Sequence, residues 1–247
     1  MATFFMRIIS CVPSISELIF DLRPQVLVGR TKFCVYPNSI KNIPAIGGTK
    51  TLDISIIKEL KPDLVIAAKE ENEKAQIDEI SFFAKVKVFD VKTLVDCLDL
   101  ISQIGELLQT KSEAEQLTFK IKNQLERLPF FEGKSMVYLI WQKPFITTGG
   151  DTFIHSVLKE IGLVNLYANQ NRYPEISGLQ QLKDIRPDFV FLSSEPFPFV
   201  EKHRLEFQAE LNRSKVILVD GTYFSWYGSR MAMSWSYFKS IVESLQN

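Results

Sequence analysis

The chain has 247 residues, of which 46% are hydrophobic, and its 29 basic and 29 acidic residues give no net charge. This length permits two lobes, and the hydrophobic content predicts folded cores instead of disorder. The charge balance argues against a nucleic-acid partner, and no run of about 18 apolar residues predicts a membrane-spanning helix.

Two features bear on the cellular compartment. Cys11, Cys34 and Cys97 are odd in number, far apart and in no C-x-x-C arrangement, which predicts buried free thiols and argues against a disulfide framework or zinc site. Residues 1–6 run into a predicted strand without a basic start or an apolar stretch. We therefore expect the chain as written to carry no export signal and to be cytoplasmic.

The first part of the chain alternates strands and helices. Residues 7–12 form an apolar run that Pro13 ends, and Ser14 with Glu17 predicts a capping box for a helix over 15–22. Further strands are predicted over 26–28, 64–67 and 86–90, and further helices from 53 onward, over 73–83 and over 93–108. This alternation predicts a parallel α/β lobe.

The loop over 30–37 follows the second predicted strand. It carries two cations, Arg30 and Lys32, and two aromatic residues, Phe33 and Tyr36. Open α/β sheets bind ligands beyond the carboxyl ends of their strands, so this loop is a candidate binding surface. The nearby Gly-Gly pair at 47–48 matches neither nucleotide-binding glycine motif, and no nucleotide site is predicted there.

A helix predicted over 112–128 joins two similar halves of the chain. Ser112 and Glu115 have capping-box spacing, Pro129 ends the pattern, and the helix would be about 25 Å long. The stretch LKPDLVI at 60–66 before it resembles IRPDFVFL at 185–192 after it. We predict an N-terminal lobe over 1–111, a bridging helix over 112–128 and a C-terminal lobe over 129–247.

The second half repeats the strand–helix alternation. Strands are predicted over 135–141, 189–192 and 215–219, and helices over 153–161, 179–185 and 231–245. Asp151 or Thr152, after a glycine turn, can cap the helix over 153–161. The predicted fold class is α/β, with two Rossmann-like lobes, each a mostly parallel sheet flanked by helices, bridged by one long helix.

Aromatic residues gather after the predicted strands of both lobes. For any one of them, packing in a core is as good an explanation as ligand contact. Together they indicate a cleft with flat apolar walls, which suits a large planar ligand. The residues are Phe33, Tyr36, Trp141, Phe197, Phe199, Tyr223, Phe224, Trp226 and Tyr227.

Evidence for catalysis or for a protein-built metal site is weak. The sequence contains neither G-x-S-x-G nor H-E-x-x-H, and no Ser-His-Asp set can be assembled. His155, near a helix start, is predicted to be structural, and His203 is either a surface residue or an outside candidate for an axial metal contact. We expect no catalytic residues and no built-in cofactor, and any metal would arrive inside an organic ligand.

The order of motifs along nearly the whole chain resembles a known family. The motifs are RIISCVPSISE at 7–17, VGRTKFCVYP at 28–37, LKPDLVI at 60–66, GGDTFIH at 149–155 and SSEPFP at 193–198. They resemble the cobalamin-binding and iron–siderophore-binding proteins of ABC importers, the helical-backbone metal receptors or class III substrate-binding proteins, and the cobalamin branch most closely. The resemblance implies two α/β lobes, one rigid bridging helix and a ligand in the cleft.

The resemblance also implies site residues. Tyr36 and Pro37 match the family's Tyr-Pro loop, and Tyr223 and Phe224 match an aromatic pair that would lie against a corrinoid. The predicted ligand-binding set is Phe33, Tyr36, Pro37, Lys69, Trp141, Gln142, Lys143, Gly150, Ser193, Glu195, Phe197, Tyr223, Phe224, Trp226 and Tyr227. The polar residues expected to hydrogen-bond ligand edges are Lys32, Lys69, Gln142, Lys143, Ser193 and Glu195.

These observations predict a monomeric, non-enzymatic protein that binds cobalamin or another corrinoid first, and an iron–siderophore or haem second. Two alternatives stay open, an enzyme handling a corrinoid or chelate through Glu195, Asp151 or His203, and an interaction protein that has lost its ligand. The family implies a periplasmic or envelope location and an ABC permease partner. Ser55 stands where the resemblance implies an acidic residue that docks on the permease in cobalamin-import relatives.

Overall fold

The computed structural model describes residues 6–125 and 130–246. The chain divides into two compact units. The first unit comprises Met1–Val91, Val95–Ile121 and Trp226–Ala232, and the second comprises Lys92–Leu94, Lys122–Ser225 and Met233–Asn247. We call Trp226–Ala232 the return segment, because a stretch late in the chain belongs to the first unit, whereas the predicted lobes place it in the second.

The first half of the chain forms a four-stranded parallel sheet with helices. Its elements are β1 Ile8–Ser10, α1 Pro13–Leu22, β2 Leu27–Arg30, β3 Gly47–Gly48, β4 Thr51–Leu52, α2 Ile54–Glu59, β5 Leu64–Ala68, α3 Lys74–Ser81, β6 Lys85–Phe89, α4 Leu94–Leu108 and α5 Lys111–Leu125. The strand order is β2-β1-β5-β6, and β3 pairs with β4 in an antiparallel hairpin. The residues of β1 and β5 are all buried, as expected for parallel strands covered on both faces.

The second half builds a sheet of the same kind. Its elements are β7 Ser135–Leu139, β8 Trp141–Gln142, β9 Phe145–Ile146, α6 Phe153–Glu160, β10 Val164–Asn165, β11 Glu175–Ile176, α7 Leu179–Ile185, β12 Phe189–Ser193, α8 Glu201–Glu210, β13 Lys215–Val219, α9 Thr222–Ser225 and α10 Met231–Gln246. The parallel sheet has the order β10-β7-β12-β13, and β11-β9-β8 form a small antiparallel sheet. The predicted α/β class with two mostly parallel sheets is confirmed.

The repeated basic-Pro-Asp turns have one structural role in both halves. Lys61 and Arg186 adopt left-handed backbone conformations, with φ of 43° and 48°. Two residues later, the carboxylate of Asp63 accepts the N–H of Arg7 at 2.7 Å, and that of Asp188 accepts the N–H of Ser135 at 2.8 Å. Each turn therefore ties a third strand of the sheet to the start of the first, which explains the repeat seen in the sequence.

Both predicted capping boxes are wrong. Helix α1 begins at Pro13 with Val12 as its N-cap and no side-chain cap, because proline at the first position has no N–H that needs a partner. Helix α5 begins at Lys111, which places Ser112 inside the first turn, and Glu115 pairs with Lys111 at 3.8 Å. The predicted end of this helix at Leu128 and Pro129 lies outside the described residues, and its bridging role stays a prediction.

The predicted cap of α6 and the predicted free thiols are confirmed. The side chain of Thr152 caps α6 by accepting the N–H of His155 at 3.2 Å. Cys11, Cys34 and Cys97 are free and buried. Over the ranges that the structure describes, no helix combines the length and apolar character needed to cross a membrane.

Candidate functional site

The loop after β2 exposes aromatic rings at the carboxyl end of the first sheet. Phe33 is 50% exposed and Tyr36 is 45% exposed. The ammonium group of Lys32 lies 5.2 Å from the centroid of the Phe33 ring, and the peptide bond between Tyr36 and Pro37 is cis. This loop therefore exposes two aromatic rings and one cation, Lys32, whereas the sequence predicts two cations there.

Arg30, the second cation of this loop, has a structural role. It is buried, and its guanidinium donates hydrogen bonds to the carbonyl groups of Ile40 and Thr31, each at 3.0 Å. A Cβ atom at Gly48 would lie 3.3 Å from the Phe33 ring, so the glycine gives that ring room to pack. The loop is thus anchored by the hydrogen bonds of buried Arg30, and it packs beside Gly48 of β3.

The return segment lies beside this loop within the first unit. The Trp226 ring meets the Tyr36 ring edge-on, with centroids 6.1 Å apart. The Arg230 guanidinium lies 4.4 Å from the Tyr36 centroid and 4.8 Å from the Trp226 centroid. Trp226 and Tyr227 are themselves buried. They therefore support the loop more than they present rings to solvent.

Arg230 also forms a buried ion pair with Glu17 of α1. Its Nε donates to Oε2 of Glu17 at 3.0 Å, its Nη2 donates to Oε1, and the two side chains are only 5% and 6% exposed. Burial raises the pKa of Glu17, and the bonds from Arg230 oppose the rise. The sequence analysis missed this pair, although Glu17 lies in the helix that follows β1 and Arg230 ends the aromatic loop.

A second aromatic surface follows β7 in the second unit. Trp141 is 39% exposed, and its ring packs edge-on against Phe197 at 5.7 Å. Phe197 in turn packs against Phe199 at 4.8 Å and against the His203 ring at 5.5 Å. Gln142 is the second residue of β8, and Lys143 lies in the turn directly after it. This surface again combines an exposed ring with polar side chains, as predicted.

Ser193 and Glu195 organise their loop from inside. Ser193 is buried. Its hydroxyl accepts a hydrogen bond from the Tyr138 hydroxyl at 3.2 Å and donates one to the Glu195 carbonyl at 2.7 Å. The Glu195 carboxylate accepts a hydrogen bond from the Ser225 hydroxyl. Of these two predicted edge contacts, only Glu195 is part-exposed.

The aromatic pair after β13 is split between core and surface. Phe224 is fully buried, and its ring lies 5.2 Å from that of Tyr138 and 4.8 Å from that of Phe238. Tyr223 is partly exposed and stacks on Tyr237 at 4.3 Å. The structure therefore places Phe224 as a packing residue and leaves Tyr223 accessible.

The remaining polar candidates are engaged locally. Lys69 is exposed and its ammonium lies 3.2 Å from the Asp90 carboxylate. A Cβ atom at Gly150 would lie 2.0 Å from the Ala168 carbonyl oxygen, so this position accepts only glycine without backbone movement. The close approach of the Ala168 backbone therefore explains why a glycine occupies position 150.

The histidines and the acidic candidates for catalysis have structural partners. Nδ1 of His203 accepts the N–H of Val200 at 3.0 Å, and His155 lies 3.4 Å from the Asn165 amide nitrogen. The Asp151 carboxylate accepts the N–H of Arg172. Within residues 6–125 and 130–246, no three His, Cys, Asp or Glu side chains are grouped so that they could hold a metal ion.

The predicted site residues thus fall into two groups. The first group is exposed or partly exposed and could contact a ligand, whereas the second is buried and supports the loops. The exposed and partly exposed residues are Phe33, Tyr36, Pro37, Lys69, Trp141, Gln142, Lys143, Gly150, Glu195, Phe197 and Tyr223. The buried ones are Ser193, Phe224, Trp226 and Tyr227.

Comparison with curated proteins finds relatives among transport proteins. An uncharacterised ABC transporter substrate-binding lipoprotein of Bacillus subtilis is 27% identical over 198 residues, which is 74% of this chain and 62% of that protein. The match therefore spans less than two thirds of that relative. A vitamin B12-binding protein of Salmonella typhimurium is also 27% identical, over 71% of this chain and 68% of the relative.

Solved structures share the fold along almost the full chain. The periplasmic vitamin B12-binding protein BtuF of Vibrio cholerae superposes with a TM-score of 0.79 at 19% identity, covering 98% of both chains. A periplasmic haem-binding protein from Pseudomonas aeruginosa superposes with a TM-score of 0.82 at 19% identity, covering 97% of this chain and 93% of that one. The sequence pattern of periplasmic binding proteins matches residues 8–217. This chain belongs to the periplasmic binding protein family.

Proposed function

We propose that this protein captures a metal-containing organic ligand, with cobalamin or another corrinoid first and an iron–siderophore or haem second. The observation that carries the proposal is the pair of exposed aromatic surfaces at the carboxyl ends of parallel strands. Phe33 and Tyr36 form one, and Trp141 with Phe197 forms the other. That the ligand binds between two lobes is likewise proposed.

The chemistry of these surfaces suits a large flat ligand with polar edges. Burying apolar ligand area against aromatic rings is worth roughly 25 cal/mol per Å² before the costs of association. Lys32, Gln142 and Lys143 flank the rings and can hydrogen-bond amide or carboxylate groups at a ligand's rim. The metal would be held by the ligand's own macrocycle or chelator, with His203 as the outside candidate for an axial contact.

The relatives favour a corrinoid among these ligands. The Salmonella relative is a vitamin B12-binding protein, whereas the likeness to haem-binding proteins is one of fold at 19% identity. Members of the family are substrate-binding proteins and not enzymes, so the prediction of a non-enzymatic chain is confirmed. The engagement of Glu195, Asp151 and His203 in local hydrogen bonds further disfavours the enzyme alternative.

Uptake through an ABC permease, at a periplasmic or envelope location, belongs to the same proposal. The Bacillus relative is described as an ABC transporter substrate-binding lipoprotein. The position where the resemblance implies an acidic docking residue is occupied by Ser55, so docking on a permease would use other side chains. The Ser55 hydroxyl donates to the Asp53 carboxylate at 2.6 Å, and that carboxylate caps α2 by accepting the N–H groups of Ser55 and Ile56.

A titration of the purified protein tests the ligand. Cyanocobalamin, haemin and a ferric siderophore are added in turn while tryptophan fluorescence is followed, and we expect saturable one-to-one quenching by cyanocobalamin at micromolar concentrations or below. Trp141→Ala should weaken binding at least tenfold. Phe119→Ala is the matched control, because Phe119 is 66% exposed on α5 and follows no strand.

The outcomes separate the alternatives. Quenching by haemin or the siderophore alone would move the assignment to that ligand. Failure of all three compounds to bind would overturn the proposal, and catalytic turnover of a bound corrinoid would favour the enzyme.

A further inference from the structure

The interaction that stands out beside the proposed ligand surfaces is the contact of Arg230 with Glu17, Tyr36 and Trp226. Glu17 lies on α1, directly after β1, and Arg230 lies near the end of the return segment. All four residues belong to the first compact unit. The contact therefore combines a buried charge pair with two rings of the predicted ligand-binding set.

The Arg230 guanidinium is hydrogen-bonded to Glu17 and lies close to two aromatic rings. Its Nε and Nη2 atoms donate to the two carboxylate oxygens of Glu17, the geometry that a planar guanidinium makes with a carboxylate. The central carbon of the same guanidinium lies within cation–π distance of the Tyr36 and Trp226 centroids. A lysine would keep the charge but lacks the planar pair of N–H donors that bonds both oxygens of Glu17.

Exposure separates the roles of the partners. Tyr36 is 45% exposed, while Arg230 is 4% exposed and Glu17 is 5% exposed. A large ligand can reach the Tyr36 ring but not the guanidinium behind it. An exposed aromatic ring on a loop binds a flat ligand well only when its orientation is held before the ligand arrives, because ordering it on binding costs affinity.

We propose that Arg230, held by Glu17, is a positioning residue that fixes the Tyr36 ring against Trp226 in the orientation that receives the ligand. This inference rests on the proposed function, since it assigns a role within the same site. Arg230 acts through Tyr36 and does not touch the ligand. If the Arg230–Glu17 pair only stabilised the fold, replacing Arg230 would leave the orientation of the Tyr36 ring unchanged.

The test uses three variants of the full chain. Arg230→Lys keeps the charge and removes the planar fork. The double variant Glu17→Met with Arg230→Met replaces the ion pair by apolar side chains of similar size, a change that buried pairs often tolerate without loss of stability. Arg204→Lys is the matched control, because Arg204 makes a similar forked pair with Glu201 on the exposed face of α8.

The first readout needs no ligand. In protein labelled on its tyrosine rings, the Tyr36 NMR signals are assigned by comparison with Tyr36→Phe, and we expect the nearby Trp226 ring to shift them from free-tyrosine positions. We expect these signals to move toward free-tyrosine positions in both Arg230 variants and to stay in Arg204→Lys. The signals of buried Tyr138 should not move in any variant, which shows that the fold is retained.

The second readout is the affinity for cyanocobalamin, followed by tryptophan quenching. We expect a loss of about tenfold in Arg230→Lys and in the double variant, and less than twofold in Arg204→Lys. Unmoved Tyr36 signals would overturn the inference, and so would moved signals with unchanged affinity. If the wild-type protein binds none of the three compounds, the proposed function fails, and the Tyr36 signals alone decide whether Arg230 orients the ring.

Discussion

The two sheets of this protein have the same strand order and the same Pro-Asp turns, but the loops that follow their strands are held differently. In the first unit, buried polar groups fix the loops. Arg30 bonds three backbone carbonyls, and the Asn72 amide bonds the backbone of Ala68, Cys11 and Thr49. In the second unit, buried Ser193 also forms hydrogen bonds, but rings that pack on rings around Phe197 and Phe224 make up more of the contacts described for the loops.

This difference shows that a repeated strand–helix framework does not dictate how its loops are anchored. Polar anchors place a loop through directional bonds that fail together when one partner is lost. Aromatic clusters place a loop through area and shape, which tolerate gradual change. We therefore expect point changes in the first unit to act more sharply than matched changes in the second.

The largest effect is expected at the buried ion pair. Arg230→Met leaves the Glu17 carboxylate buried without its partner, and we expect the free energy of unfolding to fall by about 3–5 kcal/mol. Arg204→Met on α8 breaks an exposed pair of similar geometry, and we expect the free energy of unfolding to change little, because solvent screens the pair. Urea unfolding followed by circular dichroism measures both, and equal losses would contradict the contrast between the units.

The two Gly-Gly pairs, at 47–48 and 149–150, look alike in sequence but differ in how tightly their second glycine is packed. A Cβ atom at Gly150 would lie 2.0 Å from a backbone carbonyl oxygen, whereas the nearest atom at Gly48 is the Thr51 hydroxyl oxygen at 2.9 Å. Gly150→Ala should therefore destabilise the protein by about 2 kcal/mol or more, because backbone must move, and Gly48→Ala by about 1 kcal/mol or less. Thermal unfolding of both variants measures which substitution destabilises the protein more. At these glycines the larger loss is expected in the second unit, opposite to the general expectation that changes in the first unit act more sharply.

The three cysteines all lie in the first unit, so their titration is a probe of that unit. Burial raises the pKa of Cys11 and Cys97 from 9.0 to about 12. The native state keeps these protons between pH 9 and 12 while the unfolded state loses them, so stability is full below pH 9 and falls as the pH rises. The slope reaches about 1.4 kcal/mol per pH unit for each thiol.

Above pH 10, tyrosines with raised pKa values add to this slope, Tyr237 of the second unit among them. The window from pH 9 to 10 therefore isolates the thiols. Urea unfolding across that window measures the slope, and at pH 8 a thiol reagent should leave the native protein unmodified and label three groups after unfolding. Rapid labelling of the native protein would show that the first unit opens readily.

The smallest effect is expected at the Pro-Asp turn of the second unit. Hydrogen bonds from the hydroxyl and the N–H of Ser135 lower the pKa of Asp188 below 3.8. Its contribution is present above pH 3.8 and is lost as the pH falls further. Asp188→Asn should cost only about 0.5–1 kcal/mol at pH 7, because the group is exposed and solvent screens its interactions, and it should flatten the acid limb of the unfolding curve. Asp184→Asn, on the exposed face of α7, should leave that limb unchanged.

Local chemistry explains which predictions from the sequence were successful. Apolar runs bounded by proline and polar loops identified β5, β7, β12 and β13, and Thr152 was recognised as a cap, because these signals act between neighbours in the chain. The resemblance to substrate-binding proteins of ABC importers is confirmed by the family match and the relatives. The two capping boxes were wrong because serine–glutamate spacing alone does not say where a helix begins.

The amino-acid sequence alone therefore determined the α/β class, the two parallel sheets, the free thiols and the loops that follow the strands. Only the tertiary structure decided which aromatic residues are exposed, that Phe224 and Trp226 are buried, and that Glu17 pairs with Arg230. The physical reason is range. Secondary structure follows from contacts within a few residues, whereas a salt bridge across 213 positions exists only after the return segment packs in the first unit.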